Sequence, residues 1–428
     1  MQEVVIVSGA RTPVGAFGGS LKDVTAVDLG SLAIREAMKR AGLRPGLSEA
    51  MKAGSPDPLK DQGKTELEKA AANWDESAAE VAVDEVIMGN VLLGGQGQNP
   101  ARQAMIRAGM PKETPAYTVN KVCASGLKSI SLGAASIMCG ESEVVVAGGQ
   151  ESMSCAPMAL PKARWGHRME VTGKGEVLDL MVYDGLFEIF YGYHMGVTAE
   201  NIVEKYGISR QEQDELSVLS HNRARAAIED GTFAREIVPV TVKTRKGDVV
   251  VDTDERPMET DMEKMAKLKP VFKKDGTVTA GNASGVNDGA AAVVLMSAQK
   301  AKALGLTPMA KIKTFSAGGV DPAYMGLGPI PAIRSVLGKS GMSIQDLDII
   351  ELNEAFASQA LACMKELGID TGKPNQYGSG ISLGHPIGCT GARQMVTAVH
   401  MMRDKGAKTG MISMCIGGGM GMAMVIET

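Results

Sequence analysis

The sequence predicts an α/β fold, because strand-like and helix-like segments alternate along most of its 428 residues. Short apolar runs separate segments in which apolar residues recur at helical spacing. In chain order, the predicted strands are 4–8, 85–88, 116–119 and 143–147, and the predicted helices are 28–40, 99–108 and 124–139. Such alternation is typical of a mixed, mostly parallel sheet with crossover helices. The 52 glycines and 28 methionines indicate close helix–sheet packing with adaptable gap-filling side chains.

The second half of the chain repeats the order of the first. A Cys-Ala-Ser-Gly turn at 123–126 leads into a helix, then the apolar strand 144–147, which ends at two glycines. Later, the turn Gly-His-Pro-Ile-Gly-Cys-Thr-Gly at 384–391 leads into a helix at 392–403, a strand at 410–414 and three glycines at 417–419. This echo predicts an internal duplication, with two similar layers packed back to back.

Two segments interrupt the alternation. Residues 182–267 are helix-rich and more charged, which predicts an inserted lobe. Residues 44–80 carry 13 charged side chains around a Pro/Gly-rich stretch. That composition predicts a solvated surface loop with one short helix at 65–73.

Composition excludes several classes of function. The net charge of −4 gives no electrostatic basis for binding nucleic acid or an anionic membrane surface. No apolar run is expected to be long enough to span a bilayer, and no export signal is readable at the N-terminus. The six cysteines show neither disulfide-framework nor CxxC metal spacing. A cytoplasmic, reduced protein without a metal site is therefore expected.

Cys123 lies where a β-favouring run changes to a helical segment. Unpaired backbone N–H groups and the helix dipole favour an anion at such a position, so the thiol is expected to be acidified toward thiolate, its nucleophilic form. The alternative is that Cys123 is a small buried hydrophobic residue, as most free cysteines are.

Three further patches carry chemically capable residues at strand ends or in turns. Asn353 follows the apolar strand 347–351, His385 lies between Gly and Pro before a helix, and Cys415 precedes three glycines. Strand ends and the loops after them are where α/β sheets place reactive groups. Each patch also has a structural explanation: a helix cap, a turn histidine and a core cysteine before a tight turn.

Taken together, ten ordered motifs resemble the thiolase family, in particular its acetyl-CoA acetyltransferases, along nearly the whole chain. The motifs are VIVSGARTPVGAFGG, IMGNVL, GQGQNPARQA, VNKVCASGLKS, AGGQESMS, YGYHMGVTAEN, TAGNASGVNDGA, LNEAFA, GHPIGCTGAR and CIGGGMG. The resemblance implies a five-layer α-β-α-β-α fold with two duplicated halves and an inserted loop domain. The implied boundaries are 1–156 for the N-terminal half, with an insertion near 45–80 and completion by about 287–308, 157–286 for the loop domain covering CoA, and 309–428 for the C-terminal half.

The resemblance also implies a reaction, the reversible Claisen condensation of two acetyl-CoA to acetoacetyl-CoA and CoA. Cys123 would carry the acetyl group after His385 takes its proton. Cys415 would act as general base on the second acetyl-CoA. One oxyanion hole would use His385 with a water held by Asn353, and the other the backbone N–H groups of Cys123 and Gly417.

Binding of CoA is expected in an apolar cleft with few polar anchors. By resemblance, the residues that contact the pantetheine arm or the acyl group are Leu186, His194, Met195, Ala280, Ser284 and Phe356. The family arginine at the adenine end has no clean counterpart, since the aligned position falls at Arg256-Pro257.

Several expectations and alternatives accompany this interpretation. Partners are acetyl-CoA, acetoacetyl-CoA and CoA, no metal or redox cofactor is required, and a homotetramer is expected. The alternatives are a 3-ketoacyl-CoA thiolase for longer chains and an inactive CoA-binding assembly subunit. Met195 favours the short-chain reading because methionine there narrows the acyl pocket in relatives. The 45–80 insertion could be a surface excursion, an oligomer contact or a flap near the CoA entrance.

Overall fold

The computed structural model describes residues 2–60, 62–71, 73–168 and 174–428. The strands are β1 (Val4–Arg11), β2 (Gly15–Ala16), β3 (Leu43–Gly46), β4 (Ala79–Ala82), β5 (Glu85–Gly89), β6 (Ala116–Val119), β7 (Val144–Ser152), β8 (Met158–Ala159), β9 (Leu178–Asp179), β10 (Phe187–Glu188), β11 (Tyr193–His194), β12 (Val240–Thr244), β13 (Gly247–Val251), β14 (Asn287–Ser297), β15 (Ala310–Gly319), β16 (Ile349–Leu352), β17 (Thr409–Ile416) and β18 (Met420–Glu427). The helices are α1 (Ala26–Arg40), α2 (Glu49–Gly54), α3 (Glu66–Ala71), α4 (Pro100–Arg107), α5 (Ser125–Cys139), α6 (Leu180–Gly185), α7 (Met195–Tyr206), α8 (Arg210–Glu229), α9 (Met262–Ala266), α10 (Ala298–Ala303), α11 (Pro329–Ser340), α12 (Ala357–Leu367), α13 (Gly380–Leu383) and α14 (Thr390–Lys405).

Two half-sheets with matching internal order form the centre of the fold. The first runs β6–β5–β7–β14–β1 and the second β16–β17–β18–β15. They join through a short antiparallel contact in which Val5 pairs with Lys311 and Ile6 with Ala310. In each half-sheet the strands far from the join pair in parallel, as β5–β7 and β16–β17 do. The strands nearer the join pair antiparallel. The predicted α/β class and internal duplication are therefore confirmed.

The prediction that the sheet is mostly parallel is wrong. Among its described strand pairs, only β5–β6, β5–β7 and β16–β17 are parallel. Strands β17 and β18 are joined by the glycine turn at 417–419, and so short a link permits only an antiparallel pair. Strand β14 follows the inserted lobe rather than a crossover helix, so the right-handed crossover rule does not fix its direction.

The fold has five layers, two of which are the half-sheets and three of which are helical. Helices α5 and α14 pack against each other in the centre, and their apolar side chains share one core with residues of both half-sheets. Helices α1 and α4 cover the outer face of the first half-sheet, and α11 and α12 cover the second. This arrangement confirms the α-β-α-β-α fold. The boundaries 1–156, 157–286 and 309–428 stay predictions.

Local signals place most elements within a few residues of their predicted bounds. The α1 helix begins where the Thr25 side chain accepts a hydrogen bond from the Asp28 N–H, and Asn99 caps α4 in the same way. Strand β7, however, continues through Gly148 and Gly149, where the sequence predicted its end. A Cβ on Gly149 would lie 2.1 Å from the Gly388 carbonyl oxygen, so these glycines allow close packing rather than a turn.

The 45–80 insertion is more ordered than predicted. It contains α2, the parallel pair β3–β4 and α3, which lies within the predicted helix at 65–73, although Ala72 falls outside the described residues. The buried carboxylate of Glu68 accepts hydrogen bonds from the backbone N–H groups of Thr65 and Lys112, which anchors α3 near the end of α4. Most described residues of the segment are exposed or partly exposed, which confirms the predicted solvated surface segment. The prediction of a loop outside 65–73 is wrong, because α2 and the β3–β4 pair form there.

One stretch, residues 122–139, is long and apolar enough to span a membrane by length and composition alone. The expectation that no apolar run reaches that length is therefore wrong. In the structure 61% of this stretch is buried inside the protein, because it contains α5, the central helix between the two half-sheets.

Candidate active site

Cys123 lies two residues before α5, at a strained point of the backbone. The preceding Val122 adopts φ of +46°, a left-handed conformation that is rare for a β-branched residue. Cys123 is buried, and its neighbours in the core include Val91, Leu92 and Ile387. Strain held in place by packing is a feature of functional sites, and here it sets the direction of the thiol.

The thiol of Cys123 is not acidified in the ligand-free protein. Burial raises its pKa to about 11, although the backbone N–H groups of Gly417 and Cys123 itself act in the opposite direction. The prediction that the Cys123 thiol is acidified is therefore wrong, because the loss of solvation raises its pKa by more than the backbone N–H groups lower it. These two backbone N–H groups both lie beside the Cys123 sulfur, and an oxyanion hole needs such a pair of hydrogen-bond donors.

Gly417 brings its backbone close to Cys123 because it has no side chain. A Cβ there would lie 2.9 Å from the Met195 Cε and 3.2 Å from the Val122 Cγ1. The two residues that follow, Gly418 and Gly419, both adopt φ of +78°, which glycine tolerates without strain. The glycine run is thus required both for the turn and for access to the sulfur.

His385 lines the same cavity as Cys123. The tautomer of its ring is set by the hydrogen bond at Nδ1. The Nδ1 atom lies 2.6 Å from the Thr390 Oγ1, whose hydroxyl donates to the Pro386 carbonyl oxygen at 2.9 Å. Because that hydroxyl has only one proton, it must accept from Nδ1–H. The Nε2 atom is left as a proton acceptor, and it is buried with no hydrogen-bond partner among the described residues.

The imidazole of His385 is neutral in the resting protein. Burial, reinforced by the charge of Arg393, lowers its pKa to about 3. A neutral ring with a free Nε2 is the form that can accept a proton from a thiol. The turn that carries the ring is also held by the Asn287 side chain, whose oxygen accepts a hydrogen bond from the His385 N–H at 3.0 Å. The sequence did not single out Asn287, because the motif TAGNASGVNDGA that contains it was used only for Ala280 and Ser284.

Thr390→Val is expected to lower turnover by roughly 10- to 100-fold, a part of the range that general acid–base groups contribute. Valine keeps the shape but cannot accept the Nδ1–H, so the ring loses its fixed tautomer. Steady-state kinetics of acetoacetyl-CoA thiolysis would measure the effect. Thr390→Ser retains the hydroxyl and should restore most of the rate, and equal losses in both variants would contradict this role.

Asn353 follows β16 directly and is completely buried. Its backbone N–H donates to the Ser413 carbonyl oxygen at 2.9 Å, yet both side-chain amide atoms have no hydrogen-bond partner among the described residues. Buried polar atoms are normally paired, so an unpaired amide points to a functional partner. The next residue, Glu354, is fixed by the side chains of Ser220 and Asn375, which holds the backbone in place.

Cys415 is the second thiol of the site, near the end of β17. Its side chain is completely buried in a cluster with Met195, Ala355 and Phe356. Burial raises its pKa well above the usual range, and the nearby Cys123 acts in the same direction. Both thiols are therefore neutral at rest.

A cavity of about 210 Å³ is lined by Cys123, His385 and Gly417. Of the eleven residues predicted for the site, eight line it: Cys123, Leu186, His194, Met195, Ser284, Phe356, His385 and Gly417. Asn353 and Cys415 are buried but do not line it, although Cys415 packs with the lining residues Met195 and Phe356, and Ala280 is exposed outside it. The 45–80 insertion contributes no described residue to the lining, so a flap over this cavity is not seen among the described residues.

One side of the cavity is aromatic. The His194 ring stacks on Phe272 with ring centroids 4.8 Å apart, and Phe272 meets the Phe356 ring edge-on at 6.2 Å. Sequence reasoning missed Phe272 and Met325, which also line the cavity. The apolar pair Val271-Phe272 within a lysine-rich segment was the only available signal for the former, and Met325 gave none.

Arg256, the position aligned with the family's adenine contact, is largely occupied with backbone groups. Its Nε atom donates to the Ile381 carbonyl oxygen at 2.6 Å and its Nη2 atom to the Ala283 carbonyl oxygen at 3.0 Å. Burial lowers its pKa to about 10. In this arrangement the side chain supports the loop that lines the cavity.

Comparisons with known proteins agree with this site. The family model described as "Thiolase, N-terminal domain" matches residues 4–73 and 57–299, and "Thiolase, C-terminal domain" matches 306–428. The chain is 50% identical to an acetyl-CoA acetyltransferase of Syntrophomonas wolfei over 428 residues, covering 100% of this chain and 99% of that protein. It is 48% identical to an acetyl-CoA acetyltransferase of Escherichia coli K12, covering 100% and 99% respectively.

A solved structure gives the same result. The crystal structure of the Bacillus anthracis acetyl-CoA acetyltransferase superposes with a TM-score of 0.89 at 45% identity, covering 100% of this chain and 99% of that one. Full-length agreement in sequence and fold, together with a thiol and a histidine that line one cavity, leads to one conclusion: the chain belongs to the thiolase family.

Proposed function

We propose that this chain is an acetyl-CoA C-acetyltransferase, which condenses two acetyl-CoA to acetoacetyl-CoA and CoA and also catalyses the reverse thiolysis. The observation that carries the proposal is the meeting of Cys123, His385 and the Gly417 N–H at one cavity, with Cys415 buried beside Met195 at its wall. Relatives named acetyl-CoA acetyltransferase, about half identical over their full length, support it.

In the first half-reaction, the Cys123 sulfur attacks the thioester carbon while the His385 Nε2 takes the thiol proton. The negative oxygen of the tetrahedral intermediate lies between the N–H groups of Cys123 and Gly417. The C–S bond to CoA then breaks, and the leaving thiolate takes a proton from Cys415. The products are acetyl-Cys123 and CoA, with His385 protonated and Cys415 as thiolate.

In the second half-reaction, the Cys415 thiolate removes a proton from the methyl group of a second acetyl-CoA. The enolate oxygen accepts hydrogen bonds from the protonated His385 and from a water held by Asn353. The enolate carbon attacks acetyl-Cys123, and the released Cys123 thiolate recovers its proton from His385. All protons return to their starting positions, so the cycle as proposed needs no metal or redox cofactor.

One assay tests the proposal. Purified protein is mixed with CoA and either acetoacetyl-CoA or longer 3-ketoacyl-CoAs, and loss of the ketoacyl chromophore is followed. Efficient thiolysis of acetoacetyl-CoA, unchanged after dialysis against EDTA, is the expected result. No thiolysis of any substrate would support the inactive assembly subunit, and cleavage that improves with chain length would support a longer-chain thiolase.

Cys415→Ala is expected to slow thiolysis by about 10²- to 10⁴-fold, the usual range for a general acid–base group. Cys123 remains able to accept an acetyl group, so intact-protein mass spectrometry should still detect acetyl-enzyme after incubation with acetyl-CoA. Exchange of the methyl protons of acetyl-CoA with D₂O should be lost. Exchange at the wild-type rate would assign the base to another residue.

Met195 restricts the acyl end of the cavity, since it lies close to Gly417 and packs with Cys415 and Phe356. Met195→Ala is expected to raise the activity ratio for six-carbon over four-carbon 3-ketoacyl-CoA by roughly tenfold, since a methylene in a pocket is worth 10- to 200-fold in discrimination. The exposed Met258 provides a matched control. An unchanged ratio would remove Met195 from chain-length selection.

We also propose a homotetramer in the cytoplasm, contributing to fatty-acid metabolism. Large apolar side chains are exposed between residues 158 and 191, which supports contacts between subunits; examples are Met158, Trp165 and Phe190. The six cysteines are free thiols, in accord with a reducing compartment. Light scattering coupled to gel filtration should give the mass of four chains, and a monomeric mass would contradict the assembly.

A further inference from the structure

Glu151 is a completely buried carboxylate that the proposed reaction does not use directly. It lies near the end of β7 and receives four hydrogen bonds, two on each oxygen. The Asn90 side chain and the Leu92 N–H donate to Oε1 at 2.7 and 3.1 Å. The Val91 and Gly388 N–H groups donate to Oε2 at 3.0 and 2.8 Å. All four donors are neutral, so the carboxylate keeps its negative charge uncompensated by a direct cation.

These donors come from the two loops that frame the reacting groups. Residues 90–92 follow β5, and Val91 and Leu92 share one apolar cluster with Cys123. Gly388 belongs to the turn that carries His385, and its space is so restricted that a Cβ would lie 2.6 Å from the Glu151 Oε2. One carboxylate therefore joins the loop behind the nucleophile to the turn that holds the base.

We propose that Glu151 is a positioning residue: its carboxylate fixes the His385 turn against the loop behind Cys123, and its charge adds to burial in keeping Cys123 a neutral thiol until His385 takes the proton. The catalytic part of this role rests on the proposed acyl transfer. A less acidic thiol gives a more nucleophilic thiolate once the proton has moved, so the charge favours attack at the moment of transfer.

The charged groups around Glu151 agree with this role. Burial raises the pKa of both Cys123 and Cys389, and the charge of Glu151 adds to each shift; at Cys389, Arg393 and Arg11 act oppositely. Burial raises the pKa of Glu151 itself to about 7, and its four N–H donors act against that shift. Neither oxygen has a free position for a proton while four donors face it. Activity should therefore fall as pH drops below about 7, where Glu151 takes up a proton.

The test separates charge from position. Glu151→Gln removes the charge, Glu151→Asp keeps it but shortens the reach, and Glu68→Gln is the control, a buried carboxylate with backbone N–H donors that does not line the catalytic cavity. Trypsin releases residues 122–128, a peptide in which Cys123 is the only cysteine, so its alkylation by iodoacetamide can be followed by mass spectrometry at each pH.

Glu151→Gln should shift the alkylation midpoint to lower pH by a few tenths of a unit, about a twofold faster reaction at pH 8, while thiolysis falls about tenfold or more with little change in KM. Glu151→Asp should lose thiolysis but keep the wild-type midpoint. Equal midpoint shifts in both variants would overturn the electrostatic role, and wild-type turnover in both would overturn the positioning role. Alkylation of Cys123 does not depend on turnover. A failure of the proposed acetyltransferase activity would appear in the assay of the unmodified protein and can be told apart from a failure of the Glu151 proposal.

If Glu151→Gln does not fold, Asn90→Ala retains the carboxylate and removes one of its donors. The pKa of Glu151 should then rise, and the acid limb of the pH–rate profile should move to higher pH. An unchanged acid limb would overturn the assignment.

Discussion

Cys123→Ala is expected to abolish condensation and thiolysis, with a loss of at least about 10⁴-fold in kcat, because no other described thiol lines the cavity and can carry the acetyl group. Alanine fits the small buried space, so the fold should be retained. The same variant should give no acetyl-enzyme signal in the intact mass after incubation with acetyl-CoA.

Cys139 provides a matched control for that experiment, because it ends the same helix and is exposed. Cys139→Ala should leave both the rate and the acetyl-enzyme signal unchanged. Acetylation that persists in Cys123→Ala, or activity lost equally in Cys139→Ala, would mean that the nucleophile has been misassigned.

His385→Gln is expected to have the second largest effect and to change the pH dependence of acylation. The pKa of Cys123 is about 11, so without an internal base the thiolate fraction at pH 7 is about 10⁻⁴, since 11 − 7 = 4 units. Acylation should slow by up to about 10⁴-fold at pH 7 and recover about tenfold per pH unit toward pH 10. In the native protein the rate should vary far less over that range, because Nε2 takes the proton within the site.

Single-turnover acylation by acetyl-CoA, measured between pH 7 and 10, would check this prediction. His400→Gln is a suitable control, since His400 lies further along α14 and its ring is 3.4 Å from the Gly9 carbonyl oxygen, outside the described lining of the cavity. A flat profile for His385→Gln would show that the ring does not act as the base, even if the overall rate falls.

Local sequence patterns located the chemically important positions well. The change from a β-favouring run to helical spacing placed Cys123 at the start of α5, and the structure confirms that position. The repeat of turn, helix, strand and glycines predicted the matching half-sheets. These features depend on neighbouring residues in the chain, so the sequence was sufficient to predict them.

Properties that depend on distant contacts were predicted poorly. The predicted sheet direction was wrong because hairpin and inserted connections override the crossover pattern. In the 45–80 insertion the exposure and the helix at 65–73 were predicted, but α2, the β3–β4 pair and the hydrogen bond from the distant Lys112 N–H to Glu68 were not. The roles of Thr390 and Glu151 had no sequence signal beyond their place within motifs. Phe272 lines the cavity through its stack on the distant His194, a tertiary contact that the local sequence pattern does not show.

The sequence by itself determined the fold class, the family resemblance and the identity of the two cysteines, the histidine and the asparagine of the site. Only the tertiary structure decided their state. Burial keeps Cys123 a thiol and His385 a neutral base, although a helix start alone would favour the thiolate. The physical reason is that ionisation depends on solvation and on charges brought together by folding, and neither is encoded in the local pattern of residues.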